Sequence, residues 1–512
     1  MLNQAADNNK RIAKNTLLLY IRMLFLLGIG LYTSRVILAS LGAEDYGIYN
    51  VVGGFIAMFS IFMAGLSSAT QRFITFDLGK GELKKMSDTF SSCVHIYIMI
   101  GLLVFIVAEI VGVWFLENKL TIPSNRLIAA RWVFQFSLIT LIIGMISTPY
   151  NALIISHERM GAFAWISIYE ALAKLVVAYQ IQETSHDKLI IYALMLCLVQ
   201  LSVRVIYSIY CRKNFKESKF IFMFNWSKIK EIYSFTGWAM LGGLASIGFT
   251  QGLNVLLNMF FNPVVNAARG VAVQVQNIIN GFVLNFQTAI NPQIIKSYAK
   301  GKTDDMFKLI FASSKFSFLL LFAISLPVMI EAEILLNLWL KEVPKYTPLF
   351  FRLIIITSMI DGISNPFMRA VDATGNIKKY QIIVGGLLLM IVPISYVVLK
   401  LGGAPYSVFI VHIVISFLAF VIRLYLVKQL IDYSISLFWK NVLSRLVMVI
   451  CLCTTISLLL KYEMDASMLR LFVISVFSII MVVLSSYYIA LLPHERKFVR
   501  EKILSVICKK IK

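Results

Sequence analysis

Charged residues are scarce in this sequence. Asp, Glu, Lys and Arg together make up 14% of the 512 residues, against roughly 25% in a soluble globular domain. Apolar residues account for 59%. This composition is typical of a membrane protein and makes an ordinary soluble enzyme an unlikely class. Since one bilayer-spanning helix needs about 20 apolar residues, the chain has room for many spans and for little extramembrane structure.

Acidic residues are the scarcer of the two charge types. The chain has 26 Asp and Glu residues against 48 Lys and Arg residues, which gives a net charge of +22. In an apolar protein, such an excess predicts cationic connections beside anionic lipid. The excess does not imply a nucleic-acid partner.

Residues that could bind metals or perform catalysis are few and dispersed. The five histidines form no cluster, and no Gly-rich phosphate loop of the Walker type occurs. The cysteines are scattered through or beside apolar runs and predict packing roles, with neither a disulfide framework nor a metal pair. They are Cys93, Cys197, Cys211, Cys451, Cys453 and Cys508. The sequence predicts no catalytic residues, no metal and no cofactor.

Apolar runs predict an all-α polytopic membrane protein with 12 to 14 transmembrane helices, 14 being preferred. The N-terminal segment and every second connection hold 30 Lys and Arg residues, whereas the connections on the other side hold 7. Because positively charged loops resist translocation, both termini are predicted to be cytoplasmic.

A weak internal repeat divides the predicted spans into two blocks of six. Lys80-Gly81 followed by Met86 matches Lys300-Gly301 followed by Met306, and Pro149-Tyr150 matches Pro366-Phe367. An even number of spans separates the copies, so the two blocks share one topology. We predict a first six-helix bundle with its linker over residues 1–232, a second six-helix bundle over 233–430, and two extra helices with a basic amphipathic cytoplasmic tail over 431–512.

Amide side chains are concentrated in predicted spans 7 and 8, which cover residues 236–258 and 269–290. Gln251, Asn254 and Asn258 lie at i, i+3 and i+7 and therefore share one helical face. Span 8 adds Gln274, Gln276, Asn277, Asn280, Asn285 and Gln287. Unsatisfied amides are unfavourable in lipid, so these side chains either line a hydrated cavity, where they suit sugar hydroxyls, or hydrogen-bond between helices. The candidates for cavity lining are Gln251, Asn254, Asn258, Gln274, Asn277 and Asn280.

Arginines also occur within the predicted spans. Arg22 and Arg35 in span 1 and Arg269 at the start of span 8 are candidates for contact with an anionic substrate, because the guanidinium fork matches phosphate oxygens. For the others we favour snorkelling to the membrane interface, and these are Arg204, Arg352, Arg423 and Arg445.

Two helical bundles of the same topology with a central cavity fit a transporter, and two further features could couple transport to an ion, with H⁺ or Na⁺ left open. Glu170 and Lys174 lie four residues apart in span 5, where they form either a neutral structural pair or a coupling site. Asp361 in span 10 is a second candidate.

Several motifs resemble bacterial polysaccharide repeat-unit flippases of the Wzx type, in the multidrug/oligosaccharidyl-lipid/polysaccharide exporter superfamily. The first is the segment Arg35-Val-Ile-Leu-Ala-Ser-Leu-Gly-Ala-Glu-Asp-Tyr-Gly-Ile-Tyr49, followed by Gln71-Arg72-Phe73. The second half adds Asn254-Val-Leu-Leu-Asn258, Asn262-Pro-Val-Val-Asn-Ala-Ala-Arg-Gly270 and Asn291-Pro-Gln-Ile-Ile-Lys-Ser-Tyr-Ala-Lys-Gly301.

The resemblance implies two six-helix bundles in a V shape, often followed by two extra helices. It implies a non-enzymatic flippase of the bacterial inner membrane that moves undecaprenyl-diphosphate-linked oligosaccharide to the outer leaflet for O-antigen, capsule or exopolysaccharide synthesis. Its partners would be that lipid-linked sugar, membrane lipids and the polysaccharide polymerase machinery. Arg22, Arg35 and Arg269 could match the arginines that bind the diphosphate in related flippases.

Two alternatives remain open at this point. A multidrug cation antiporter of the same superfamily would need acidic residues in its cavity, whereas the charges in spans 1 and 8 are basic. A membrane polymerase or ligase acting on lipid-linked sugars usually needs a large outer loop, and the longest outer connection here has about 15 residues.

Overall fold

The protein is helical throughout the part of the chain that the structure describes. The computed structural model describes residues 2–57, 59–118, 123–219, 226–261, 263–339, 343–493, 495, 496 and 500, and these residues form helices, turns and short connections. The predicted all-α fold class is confirmed.

The first half of the chain contains seven α-helices and the start of an eighth. Their bounds are α1 Leu2–Ala57, α2 Ser60–Lys80, α3 Leu83–Val107, α4 Val113–Asn118, α5 Leu127–Ser156, α6 Met160–Glu183, α7 Lys188–Asn214 and α8 Trp226–Phe260. A π-helical turn, Ala108–Gly112, joins α3 to α4, and 3₁₀ turns Ser124–Arg126 and Lys216–Ser218 precede α5 and follow α7.

The second half continues in the same manner. Its helices are α9 Pro263–Ala299, α10 Thr303–Ile330, α11 Ala332–Trp339, α12 Thr347–Thr374, α13 Lys378–Tyr380, α14 Gly386–Leu389, α15 Ile391–Lys400, α16 Ser407–Leu430, α17 Ile435–Phe438, α18 Ser444–Tyr462 and α19 Met468–Ser485. The π-helical segments Gln381–Gly385 and Trp439–Leu443 connect α13 to α14 and α17 to α18, and Ser486–Ala490 extends α19.

Twelve helices in the described residues are long and apolar enough to cross a membrane. Neither α2 nor α9, which belong to predicted spans 2 and 8, is among the twelve. Both have sufficient length, at 21 and 37 residues, but amides, arginine and other polar residues reduce their hydropathy. The total of fourteen spans therefore stays a prediction.

Predicted span 2, over residues 48–69, does not form one continuous helix. The chain bends at Gly42, with φ 78° and ψ 169°, and is helical again as far as Ala57. A turn at Phe59, whose amide donates to Ile56 O at 3.1 Å, separates this segment from α2. Hydropathy does not show the turn at Phe59, because it lies within an apolar stretch, whereas the bend at Gly42 falls in the connection predicted between spans 1 and 2, over residues 39–48.

The internal repeat agrees with the helices that carry it. Gly81 and Gly301 both have positive φ, 76° and 70°, at the ends of α2 and α9, where a left-handed residue closes a helix. Met86 and Met306, on the helices that follow, are both fully buried. Pro149 and Pro366 both lie inside helices, α5 and α12.

The chain divides into two compact units. The first unit comprises residues Ala13–Leu244, and the second unit comprises residues up to Ile12 and from Ala245 onward. The division falls inside α8, twelve residues after the predicted boundary at 232. The last helices belong to the same unit as residues 245–430, and three polar contacts hold them there. Arg470 Nη2 donates to Glu331 at 2.9 Å, and Lys461 Nζ donates to Ile330 O at 2.7 Å.

The third contact is buried. Lys315 on α10, which is 1% exposed, pairs through Nζ with Glu495 Oε2 at 2.5 Å. Most of the predicted amphipathic tail, Arg496 to Lys512, lies outside the described residues, as does Cys508. Arg496 itself donates to the carbonyls of Leu491 and Tyr488 at 3.0 and 2.6 Å.

Candidate functional site

Arg269 is the centre of a polar network in the second unit. Its side chain is buried near the start of α9. Nη1 donates to Asn254 Oδ1 and Nη2 donates to Thr250 O at 3.0 Å, both on α8. Asn254 Nδ2 donates in turn to Gln251 Oε1 at 3.0 Å. The structure therefore brings together the predicted amides Gln251 and Asn254 and the predicted arginine Arg269. Arg269 Nε remains buried without a hydrogen-bond partner in the described residues.

The remaining amides of α8 and α9 form two groups, those that hydrogen-bond within the protein and those that do not. Gln276 Nε2 donates to Ser358 Oγ at 2.7 Å, and Gln287 Nε2 donates to Ser317 Oγ at 3.0 Å. These bonds join α9 to α12 and α10, so the interhelical interpretation holds for both side chains. Asn285 donates to Gly281 O of its own helix at 2.8 Å.

The second group has side chains that the protein leaves uncovered. Gln274 and Asn277 on α9 and Asn258 on α8 are exposed, and Asn280 is half-buried. None of the four makes a hydrogen bond with another described residue. Since an amide facing hydrocarbon is costly, this arrangement favours contact with water or a polar ligand.

Arg22 lies on α1 in the first unit. Its guanidinium carbon is 4.3 Å from the centroid of the Phe163 ring, and Nε is buried with no hydrogen-bond partner in the described segments. Glu170 and Tyr207 are close enough to interact with it electrostatically.

Glu170 also forms the predicted pair with Lys174. Lys174 Nζ lies 2.6 Å from Glu170 Oε1, and the two side chains are 44% and 30% exposed. Arg22 forms no ion pair with Glu170 but lies within electrostatic range of this carboxylate. The structure thus places a predicted coupling pair beside a predicted anion-binding arginine.

Arg35 is not part of this cluster. Its side chain is exposed, and no hydrogen bond or ion pair joins it to another described residue. Asp361, on α12, is half-buried and interacts electrostatically with Arg423 on α16.

Arg423 does not snorkel. It is 7% exposed, its Nη1 donates to Ser364 Oγ at 2.5 Å, and its guanidinium lies 5.7 Å from the Tyr380 ring centroid. The snorkelling prediction is wrong for this residue because a hydroxyl, a carboxylate and an aromatic face are available inside the unit.

The remaining three arginines have different partners. Arg352 pairs with Glu333 at 2.8 Å, and Arg445 Nη1 donates to Ile489 O at 2.9 Å. Both interactions lie at helix ends, as interfacial side chains would. Arg204 lies 4.0 Å from the centroid of the Tyr150 ring.

Arg126, which the sequence did not single out, joins three segments of the first unit. Nε and Nη2 donate to Asp45 at 2.8 and 2.5 Å, and Nη1 donates to Asp187 at 2.6 Å. Asp187 also caps α7 by accepting from Leu189 N and Ile190 N. Burial alone would raise the pKa of Asp187, but hydrogen bonds from Arg126 and the helix amides outweigh burial and hold that pKa below its usual range.

A second pair links the α5–α6 turn to the segment after α7. His157 Nε2 lies 2.6 Å from Glu217 Oε1, and the imidazole stacks on Phe215 with centroids 4.2 Å apart. Burial would raise the pKa of Glu217, but the hydrogen bond from His157 and a backbone amide lower it overall.

The sequence matches one family model. The model described as "Polysaccharide biosynthesis protein" covers residues 12–298, which is more than half of the chain. No curated protein matches the sequence.

Solved structures share the fold at low sequence identity. An outward-facing multidrug resistance MATE family transporter of the MOP superfamily is 13% identical, with TM-score 0.66, covering 82% of this chain and 97% of that one. A MOP superfamily transporter from Pyrococcus furiosus gives the same values. The MATE transporter ClbM, in complex with Rb⁺, is 15% identical with TM-score 0.69, covering 84% and 96%. At these identities the similarity establishes the fold.

The predicted superfamily is thus supported by two independent comparisons, one of sequence and one of structure. The chain belongs to the polysaccharide biosynthesis protein family, and its fold is that of transporters of the multidrug/oligosaccharidyl-lipid/polysaccharide exporter superfamily.

Proposed function

We propose that the protein flips undecaprenyl-diphosphate-linked oligosaccharides from the cytoplasmic to the outer leaflet of the bacterial inner membrane. The observation that carries the proposal is the buried Arg269, which Asn254 and Thr250 hold in place while Nε remains uncommitted. A fixed guanidinium with a spare donor suits a phosphate oxygen, and membership of a polysaccharide biosynthesis family makes a lipid-linked sugar diphosphate the fitting anion.

The exposed amides would contact the sugars. Gln274, Asn277 and Asn258 can each donate and accept hydrogen bonds, which matches the mixed character of sugar hydroxyls. Their side chains are free of intramolecular hydrogen bonds among the described residues, so binding a sugar would not first require breaking such a bond.

The first unit would supply a separate anion-binding site. Lys174 pairs with Glu170, and Arg22 lies within electrostatic range of the same carboxylate, so release of Glu170 from Lys174 would leave both cations available to an anion. A diphosphate could then take its place. Arg35, which has no intramolecular partner in the described residues, would provide a further cation toward the predicted outer end of span 1.

Coupling to an H⁺ or Na⁺ gradient would use Glu170 with Lys174, or Asp361 beside Arg423. The termini would be cytoplasmic, as the distribution of Lys and Arg predicts. The function needs no resident cofactor, and the polymerase machinery would accept the flipped sugar.

The test is reconstitution in liposomes that carry a fluorescent undecaprenyl-diphosphate oligosaccharide. An impermeant glycan-modifying reagent reports how much sugar reaches the outer leaflet. We expect protein-dependent exposure of the inner pool, at least tenfold slower exposure with Arg269→Gln or Arg22→Gln, and near wild-type exposure with Arg352→Gln, which removes an arginine paired at a helix end.

Equal rates for all three variants would contradict the assignment of the arginines. Absence of sugar exposure, together with gradient-driven efflux of a cationic dye, would overturn the flippase proposal and favour the multidrug branch of the superfamily.

A further inference from the structure

His412 on α16 lies beside the segment of α8 that holds Arg269. Its imidazole packs edge-on against Phe249, with centroids 4.9 Å apart and ring planes at 60°. The next residue along the chain, Thr250, accepts a hydrogen bond from Arg269 through its carbonyl at 3.0 Å. One turn of α8 therefore contacts both the imidazole and the guanidinium.

Arg269 is the charged side chain that is bound at this turn of α8, next to the residue that contacts His412. The elements packed against α16 carry other ionisable side chains, which interact with different partners. On α12, Arg352 pairs with Glu333, Arg369 pairs with Asp372, and Asp361 interacts with Arg423. Lys400 lies at the end of α15, and Tyr396 of the same helix packs on Phe260.

The positive charge of Arg269 disfavours a second positive charge on the imidazole. An anion bound to Arg269 would reverse this effect, because it cancels the field of the guanidinium and adds negative charge nearby. Linkage requires the converse as well, so a proton on His412 must strengthen binding of the anion by the same factor.

We propose that His412 takes up a proton when an anion occupies Arg269, so that substrate binding in the second unit is linked to protonation of this imidazole. The inference rests on the proposed function, since it names the proton-linked group of the same site. The proton moves from water to the free ring nitrogen of the neutral imidazole and returns to water when the anion leaves. No covalent bond to the substrate is involved.

The test uses the full-length protein in lipid nanodiscs and inorganic pyrophosphate as the probe. Titration calorimetry in two buffers of different ionisation enthalpy counts the protons taken up on binding. For the wild type we expect net uptake below neutral pH and affinity that rises up to about tenfold per pH unit as the pH falls. His412→Gln retains a hydrogen-bonding side chain without a titratable nitrogen. In this variant, the proton uptake and the pH dependence of affinity that come from His412 should be lost.

Pyrophosphate itself also exchanges protons on binding. The informative quantity is therefore the difference in proton uptake between wild type and His412→Gln, in which the contribution of pyrophosphate cancels. Identical proton uptake in the two proteins would overturn the inference and leave the proposed function intact. Failure of the wild type to bind pyrophosphate at all would overturn both the Arg269 site and the proton linkage. If His412→Gln does not fold, wild-type binding without proton uptake still refutes the inference.

Discussion

Replacing Asn254 by Asp tests whether Arg269 binds an anion. The substitution preserves the size of the side chain and converts the hydrogen bond from Arg269 Nη1 into an ion pair. Gln251, which now accepts from the Asn254 amide at 3.0 Å, is exposed and can rotate to present its own amide as donor. We therefore expect the variant to fold with undiminished thermal stability.

The effect on an anion follows from Coulomb's law. A carboxylate placed about 6 Å from the bound anion costs roughly 3 kcal/mol per unit charge at an effective dielectric constant of about 20. Since about 1.4 kcal/mol corresponds to a tenfold change in affinity, pyrophosphate should bind roughly a hundredfold more weakly to Asn254→Asp than to the wild type.

The assay is titration calorimetry of pyrophosphate in nanodiscs. Asn258→Asp is the matched control, because it adds the same charge one turn further along α8 on an exposed side chain that makes no contact with Arg269. Affinity of Asn254→Asp within threefold of the wild type, or an equal loss in both variants, would refute the assignment of Arg269 as the anion-binding group.

Three further predictions concern stability, measured by thermal unfolding in detergent. Arg126→Gln should destabilise the first unit by roughly 2 kcal/mol, because charge-assisted hydrogen bonds, including the one to Asp187, are lost. The lowered pKa of Glu217 means that its interaction with His157 stabilises the fold above the ordinary carboxyl pKa and is lost as pH falls through the folded-state pKa. Gly42→Ala should cost about 1–3 kcal/mol, since φ is 78° and ψ is 169° there, a combination that essentially only glycine adopts, although a Cβ atom would meet nothing within 4 Å.

The predictions for Glu217 and Gly42 each have an internal check. Glu217→Gln should lose less stability than the wild type on acidification from about pH 5 to about pH 3, the range below the ordinary carboxyl pKa, and an unchanged acid profile would contradict the role given to Glu217. Gly47→Ala, at a helical position that is equally open, should not destabilise the protein. A similar result for both glycine variants would show that backbone strain at Gly42 is negligible.

The helical architecture could be predicted because apolar runs in a bilayer have almost one structural solution, the α-helix. The bend at Gly42 could be placed as well, because it falls in the charged connection predicted between spans 1 and 2. The turn at Phe59 could not, because it lies inside an apolar run and depends on backbone conformation, which leaves no signature in mean hydropathy.

The site shows a similar contrast. Polar residues in apolar sequence indicated Arg269, Asn254 and Gln251, and the spacing on α8 placed the two amides on one face. Their division from Gln276 and Gln287 was not predictable, because it depends on which hydroxyls α12 and α10 present. His412 was missed, since its relation to Arg269 arises from helices more than 140 residues apart in the chain.

The buried ion pair between Lys315 and Glu495 has a consequence for how the protein is made. The two residues are 180 positions apart, and at about 5–20 residues per second the ribosome needs about 10–40 s to reach the second after the first. Throughout that interval α10 carries an ammonium group without its partner, and an unpaired charge is poorly tolerated in hydrocarbon. Final insertion of α10 into its folded position must therefore wait until Glu495 has been synthesised, so α10 is vulnerable to quality-control proteases at least until then.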